Sequence, residues 1–186
     1  MGKQIYGVMV VRFVAIAMLA GLSACASAAD PGAMTVASTP AATARPFPAP
    51  LQHAMCVRAV TGGEETNPLW VSKVDDAGFN TALTSSLEGA GLSAGAGSTC
   101  AYPIDVHLLG LSQPGIGFDM TVTSHVNYKV YDPSGQPFVL ETIDAPYTAK
   151  LGDAFVGAER LKLANEGSIR TSIQMFFDKL EVSQPK

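Results

Sequence analysis

The chain has 186 residues, 47% of them hydrophobic, with 12 basic against 16 acidic side chains and a formal net charge of -4. That is enough apolar material for one packed domain. It leaves no basic surplus to neutralise a phosphate backbone, which argues against nucleic acid as a partner.

The N-terminus reads as an export signal. Lys3 and Arg12 supply positive charge, Phe13 to Leu22 is a short apolar run, and Leu22-Ser23-Ala24-Cys25 follows with small residues ending in a cysteine. A charged start, an apolar core and a small-residue cleavage site define a signal peptide, whereas a span of the bilayer needs about 20 apolar residues. The Leu-Ser-Ala-Cys run resembles the lipobox of bacterial lipoproteins. That resemblance implies removal of residues 1–24 and acylation of Cys25, which gives a membrane anchor through an N-terminal lipid. The alternatives are a retained anchor, or secretion with cleavage after Ala26-Ser27-Ala28. Ala26, in place of an aspartate after the cysteine, favours the outer membrane by the same resemblance. The inner membrane and the soluble periplasm are the other placements. Loss of Lys3 and Arg12 takes the mature charge to about -6.

Residues 25–50 are expected to comprise the lipidated Cys25 and a tether rich in Ala, Pro, Ser and Thr, without apolar periodicity. Such a stretch spans about 25–30 Å end to end and would hold the folded part off the membrane. A single domain is expected over residues 51–182, with residues 183–186 as a tail; His53 lies at its edge. With Cys25 committed to lipid, Cys56 and Cys100 remain. An oxidising compartment favours a disulfide between them, and two buried free thiols are the alternative.

Met55 to Thr61 alternates and reads as a first strand, closed by Gly62-Gly63. Asn67-Pro68 marks a turn. Trp70, the sole tryptophan, fits core or lid packing, with a binding surface as the alternative. Ser72 is the expected helix cap, with Asp75 and Asp76 in the following turn. Phe79, Leu83 and Leu87 form one apolar stripe, and Gly89 and Gly91 end the helix. Tyr102, Ile104, Val106 and Leu108 share one face of a second strand, which a turn over Gln113–Gly117 follows. Met120, Val122, Val126, Tyr128 and Val130 line one face of a third strand; Thr121, Thr123, His125, Asn127 and Lys129 line the other. Asp132-Pro133-Ser134-Gly135 is a hairpin signal, and a turn there pairs Val130 with Phe138 and Tyr128 with Leu140. A long helix from about Asp153 to Glu181 closes the chain, with Leu161, Ile169, Ile173, Phe176 and Leu180 inward and a surface pair of Glu166 and Arg170. Gly167 at mid-helix implies a close approach to a neighbouring element.

The element order β-α-β-β-β-α predicts an α+β fold: a four-stranded mixed sheet whose first two strands are parallel and right-handed in crossover, with two helices packed on one face. The other face stays polar and open. The layout resembles small periplasmic lipoproteins of the LPS-assembly and YajG types. Leu163-Ala164-Asn165-Glu166, then Ile169-Arg170, Ile173 and Phe176-Phe177 to Leu180, look like the final helix of such proteins. The resemblance covers most of residues 55–182 and supplies no catalytic residue.

The sequence contains no Gly-rich phosphate loop opening a helix, no His-Glu-x-x-His, no paired-cysteine zinc pattern and no Gly-x-Ser-x-Gly elbow. The hairpin expectation sets His107 opposite His125 on the polar side, next to Asp105 and Asn127, which is a weak metal candidate against a plain surface pair. Asp119, Asp144 and Asp153 read as turn, edge and capping residues. The expectation is a non-catalytic accessory without cofactor that binds an envelope protein or lipid through a face carrying Thr121, Thr123 and Lys129. An envelope enzyme acting on glycan or lipid through unassigned carboxylates, and a periplasmic metal binder, are the competing readings.

Overall fold

The structure is a computed structural model that describes residues 26–37, 45–67, 71–95, 97–115 and 117–185. Cys25 and the residues before it, read above as an export signal, lie outside the described residues, as do Trp70 and Ile116.

Four strands form one open sheet in the order β1-β2-β3-β4: β1 is Met55–Thr61, β2 Tyr102–Ser112, β3 Met120–Tyr131 and β4 Pro137–Ala149. The β1–β2 pair is parallel and the other two are antiparallel, as the connections require. Two long helices, α2 (Asp76–Gly89) and α3 (Gly157–Glu181), join a one-turn helix α1 (Pro31–Met34).

Strand alternation builds the core. Tyr102, Ile104, Val106 and Leu108 from β2 and Val126, Tyr128 and Val130 from β3 are buried against Phe79, Leu83 and Leu87 of α2 and Ile169, Ile173 and Phe176 of α3. At its centre Tyr128 stacks on Phe176 with ring centroids 4.3 Å apart, and Phe79 meets Tyr128 edge-on at 6.5 Å. The buried hydroxyl of Tyr128 shares a 2.9 Å hydrogen bond with Ser172 Oγ, and burial raises its pKa above the ordinary value. A smaller cluster of Met120, Val122, Ala149, Leu161 and Ala164 fills the other end. A Cys56–Cys100 disulfide, with Cα atoms 5.8 Å apart, ties the start of β1 to the segment leading into β2.

Helix boundaries differ from the sequence expectation. Asp75, not Ser72, caps α2: its carboxylate accepts the Gly78 N–H at 2.6 Å, the reach an N-cap needs. Ser72 is buried, and its carbonyl accepts from Gln113 Nε2 and Asn165 Nδ2. Helix α3 begins at Gly157, because Asp153 closes a turn by accepting the Lys150 N–H instead of capping a helix.

The hairpin register is also displaced. The turn forms as expected, with Gly135 at φ +80° and Asp132 accepting its N–H. Beyond Tyr131–Pro137, however, the pairing skips a residue, and Val130 faces Val139 while Tyr128 faces Glu141. This bulge at Phe138 swaps the faces of everything after it, since a one-residue slip inverts a strand. Val139 is therefore buried and Leu140 is 63% exposed.

The largest correction concerns residues 25–50. Where described, this stretch is a docked strap, not a tether, and the folded body starts before residue 51. Met34 and Leu51 are fully buried and Phe47 nearly so, with the Phe47 ring edge-on to Phe177 at 5.8 Å. The Asp30 N–H donates to Glu166 Oε1 at 2.8 Å, and the Val36 N–H donates to Ser86 Oγ at 3.0 Å. Arg45 pairs with Asp178 and Glu181, and α1 touches both α2 and α3. The expected Glu166–Arg170 surface pair gives way for the same reason: the strap covers that face, so Glu166 takes the Asp30 N–H and Arg170 donates to the Ala33 carbonyl.

Candidate interaction surfaces

Two surfaces have functional potential. The first is the sheet face that the helices leave open. Arg58 of β1 meets Asp105 of β2 through two bonds of 2.8 and 2.5 Å, and its guanidinium lies 4.4 Å over the ring of Tyr131. The Arg58 hydrogen bond, more than any other cause, holds the Asp105 carboxyl below the ordinary range. Lys129 stands opposite Asp105 in the register and opposite Leu140 on its other side. Thr121 shares a 2.8 Å bond with Thr148, and Asn127 donates to Thr142 at 3.1 Å. Thr123 pairs in register with Ser112 and Pro146. Thr121, Thr123 and Lys129 thus lie on the outward side of β3, where alternation placed them.

The histidines do not form the predicted pair. A register shift between Leu108 and Gly110, with Gly110 at φ +153°, sets His107 opposite Asn127 and His125 opposite Gly110. His107 Nδ1 lies 2.9 Å from Thr61 Oγ1. Asp105 is held by Arg58 and not by either imidazole. Among the described residues no group of three metal-ligating side chains forms.

His125 instead joins a row the sequence reading missed. Its Nε2 lies 2.9 Å from Ser112 Oγ and its Nδ1 lies 2.7 Å from Asp144 Oδ1. A serine, a histidine and an aspartate in this order are the groups of nucleophilic catalysis, with base and orienting acid in reach. The setting is unlike a hydrolase site. The three stand side by side on neighbouring strands, the imidazole 34% and the acid 66% exposed, so water competes for both hydrogen bonds. In a working triad the acid is buried, and amide donors converge where the oxyanion forms.

The second surface lies at the end of the molecule where β3 begins, β4 ends and α3 starts. Phe118 is 81% and Phe155 87% exposed, and Val156 and Leu151 are exposed beside them. Gly117, Phe118, Leu151, Phe155 and Arg160 line an open hollow of about 580 Å³. Arg160 is buried beneath and donates to the carbonyls of Gly117, Ala154 and Phe155, which holds the two loops on the first turns of α3. Asp119 accepts the Leu151 N–H and joins the loops again.

No protein-family model and no curated protein matches the chain. Solved structures of similar shape include a candidate lipoprotein from Caulobacter crescentus CB15, at TM-score 0.47 and 12% identity over 69% of this chain and 88% of that one. A Xanthomonas campestris protein of the DUF330 family gives TM-score 0.48 and 11% identity over 82% and 96%. A hypothetical protein of Chlamydia trachomatis gives 0.43 and 12% over 70% and 91%.

Proposed function

We propose that the chain is a lipid-anchored envelope lipoprotein of the outer membrane that works by binding another envelope protein, not by catalysis, and that the open sheet face is its docking surface. The lipobox-like segment ending in Cys25 and the likeness of layout to LPS-assembly and YajG lipoproteins support the location. The observation that carries the binding role is the pattern on the open face. Its charges and amides are largely matched within the sheet, so the polar rows are held in place. Leu109 (56% exposed) and Leu140 (63% exposed) project from the same strands as isolated large apolar side chains. A rigid polar surface with a few apolar anchors suits a protein partner. Neutralised charges and scattered leucines suit a bilayer interior poorly.

A photo-crosslinking residue placed at Leu140 or Leu109 in living cells should give a discrete protein adduct, and one at the exposed Thr81 of α2 should not. Lys129→Gln, which removes the charge of this half-buried side chain without setting a second acid opposite Asp105, should reduce that adduct with only a small change in melting temperature. The enzyme alternative has its own readout in Ser112. A fluorophosphonate probe that labels Ser112 of folded protein, with labelling lost in His125→Ala, would overturn the binding reading.

A further inference from the structure

We infer that the end of the domain bearing Phe118, Phe155, Val156 and Leu151 rests directly on the lipid surface of the membrane that holds the anchor, with the two phenylalanines in the interface. This rests on the proposed lipidation of Cys25.

The argument is one of reach. The strap meets α3 at successively later positions: Asp30 at Glu166, Ala33 at Arg170, Arg45 at Asp178 and Glu181. Traced backwards, it heads for the N-terminal end of α3, and Ala26 and Ala29 are already buried on the domain. Only residues 26 to 29 separate Cys25 from Asp30. Fully extended, that span reaches about 17 Å. Along α3, Glu166 lies about 14 Å from the first residue, Gly157, and about 22 Å from the last, Glu181. An acyl chain on Cys25 can therefore bring the Gly157 end to the bilayer and not the Glu181 end. The leash is too short for the domain to stand away from the lipid.

The surface at that end fits the placement. Large exposed apolar patches mark interaction sites, and phenylalanine and leucine side chains on one side of a membrane-surface element bury at the boundary between headgroups and acyl chains. The loops holding the rings are clamped by Arg160 and by the Asp119 bond to Leu151, so the rings are presented on a fixed platform. The acids Asp119 and Asp153 engage backbone N–H groups of the same loops.

The test uses the full lipidated chain in vesicles of phosphatidylethanolamine and phosphatidylglycerol, with and without bromine on the acyl chains. Phe118→Trp, Phe155→Trp and, at the opposite turn, Ser134→Trp are each compared with the parent, whose sole tryptophan is Trp70. The added emission of Phe118→Trp and Phe155→Trp should be quenched by brominated lipid at least twofold more strongly than that of Ser134→Trp. Equal quenching at the two ends, or none at Phe118 and Phe155 in protein that floats with the vesicles, overturns the placement and leaves the anchor standing. Protein that takes up no labelled palmitate and fails to float overturns the anchor and the placement together. All three substituted positions are exposed, so the variants should melt with the parent; melting is measured first.

Discussion

Gly167 of α3 lies flat against the ring of Tyr147 in β4, so close that a Cβ at this glycine would fall 2.2 Å from Tyr147 Cδ1. Helix propensity alone favours alanine over glycine by about 1 kcal/mol. Overlap with a ring packed on the sheet costs more, about 1–3 kcal/mol. Gly167→Ala should therefore lower the urea midpoint, against its propensity. In a Tyr147→Ala background the same Gly167→Ala change should cost much less, because the ring is the obstacle.

The strap is fastened at a few points, of which Met34 is the deepest, between α2 and α3. Met34→Ala should cost about 2–5 kcal/mol, as for other large-to-small core changes. Ser27→Ala, at an exposed strap position, should cost little. Equal, small effects in denaturant titrations would show that the strap adds nothing to stability.

Burial raises the pKa of Glu166, opposed by the Asp30 N–H and by Lys162. A carboxyl raised in the folded state binds its proton more tightly there than in the unfolded chain. Its contribution to stability is therefore fully present below the unfolded value of about 4.3 and is lost as pH rises through the folded value. Glu166→Gln keeps an acceptor for the Asp30 N–H and removes the titration. The variant should melt at or above the wild-type temperature near pH 7.5, and wild type should gain on it as the pH falls toward 4.5. Wild type losing ground to the variant over that range would contradict the sign.

The Cys56–Cys100 bridge closes a long loop, with a sequence separation of 44. On the chain-entropy estimate this contributes about 4 kcal/mol. Replacing both cysteines by serine should shift the urea midpoint accordingly, and thiol alkylation of unfolded protein should label Cys56 and Cys100 only after reduction.

What could be read in the sequence follows from which contacts are periodic. Alternation in β2 and β3 and the Phe79-Leu83-Leu87 stripe predicted the buried faces, because a sheet covered on one side imposes period two and a helix imposes period 3.6. Register was legible only as far as the nearest bulge. Leu109 and Phe138 are each skipped in the pairing, and no pattern announces an extra residue. The Ser112–His125–Asp144 row depends on that register across three strands, so it stayed hidden. The strap is not legible in the sequence because its few buried side chains, Met34 and Phe47 among them, anchor single points of a Pro-rich path. Such a path needs no period to dock.

The strap's seat has a bearing on the order in which the protein can be completed. Ribosomes make the strap before α3, yet α3 supplies Glu166, Arg170, Phe177, Asp178 and Glu181 to hold it. The strap can settle fully only once α3 has been made. A premature stop or a protease cut within α3 would thus unfasten both ends of the polypeptide at once. Damage near the C-terminus would show itself first as a loosened N-terminus.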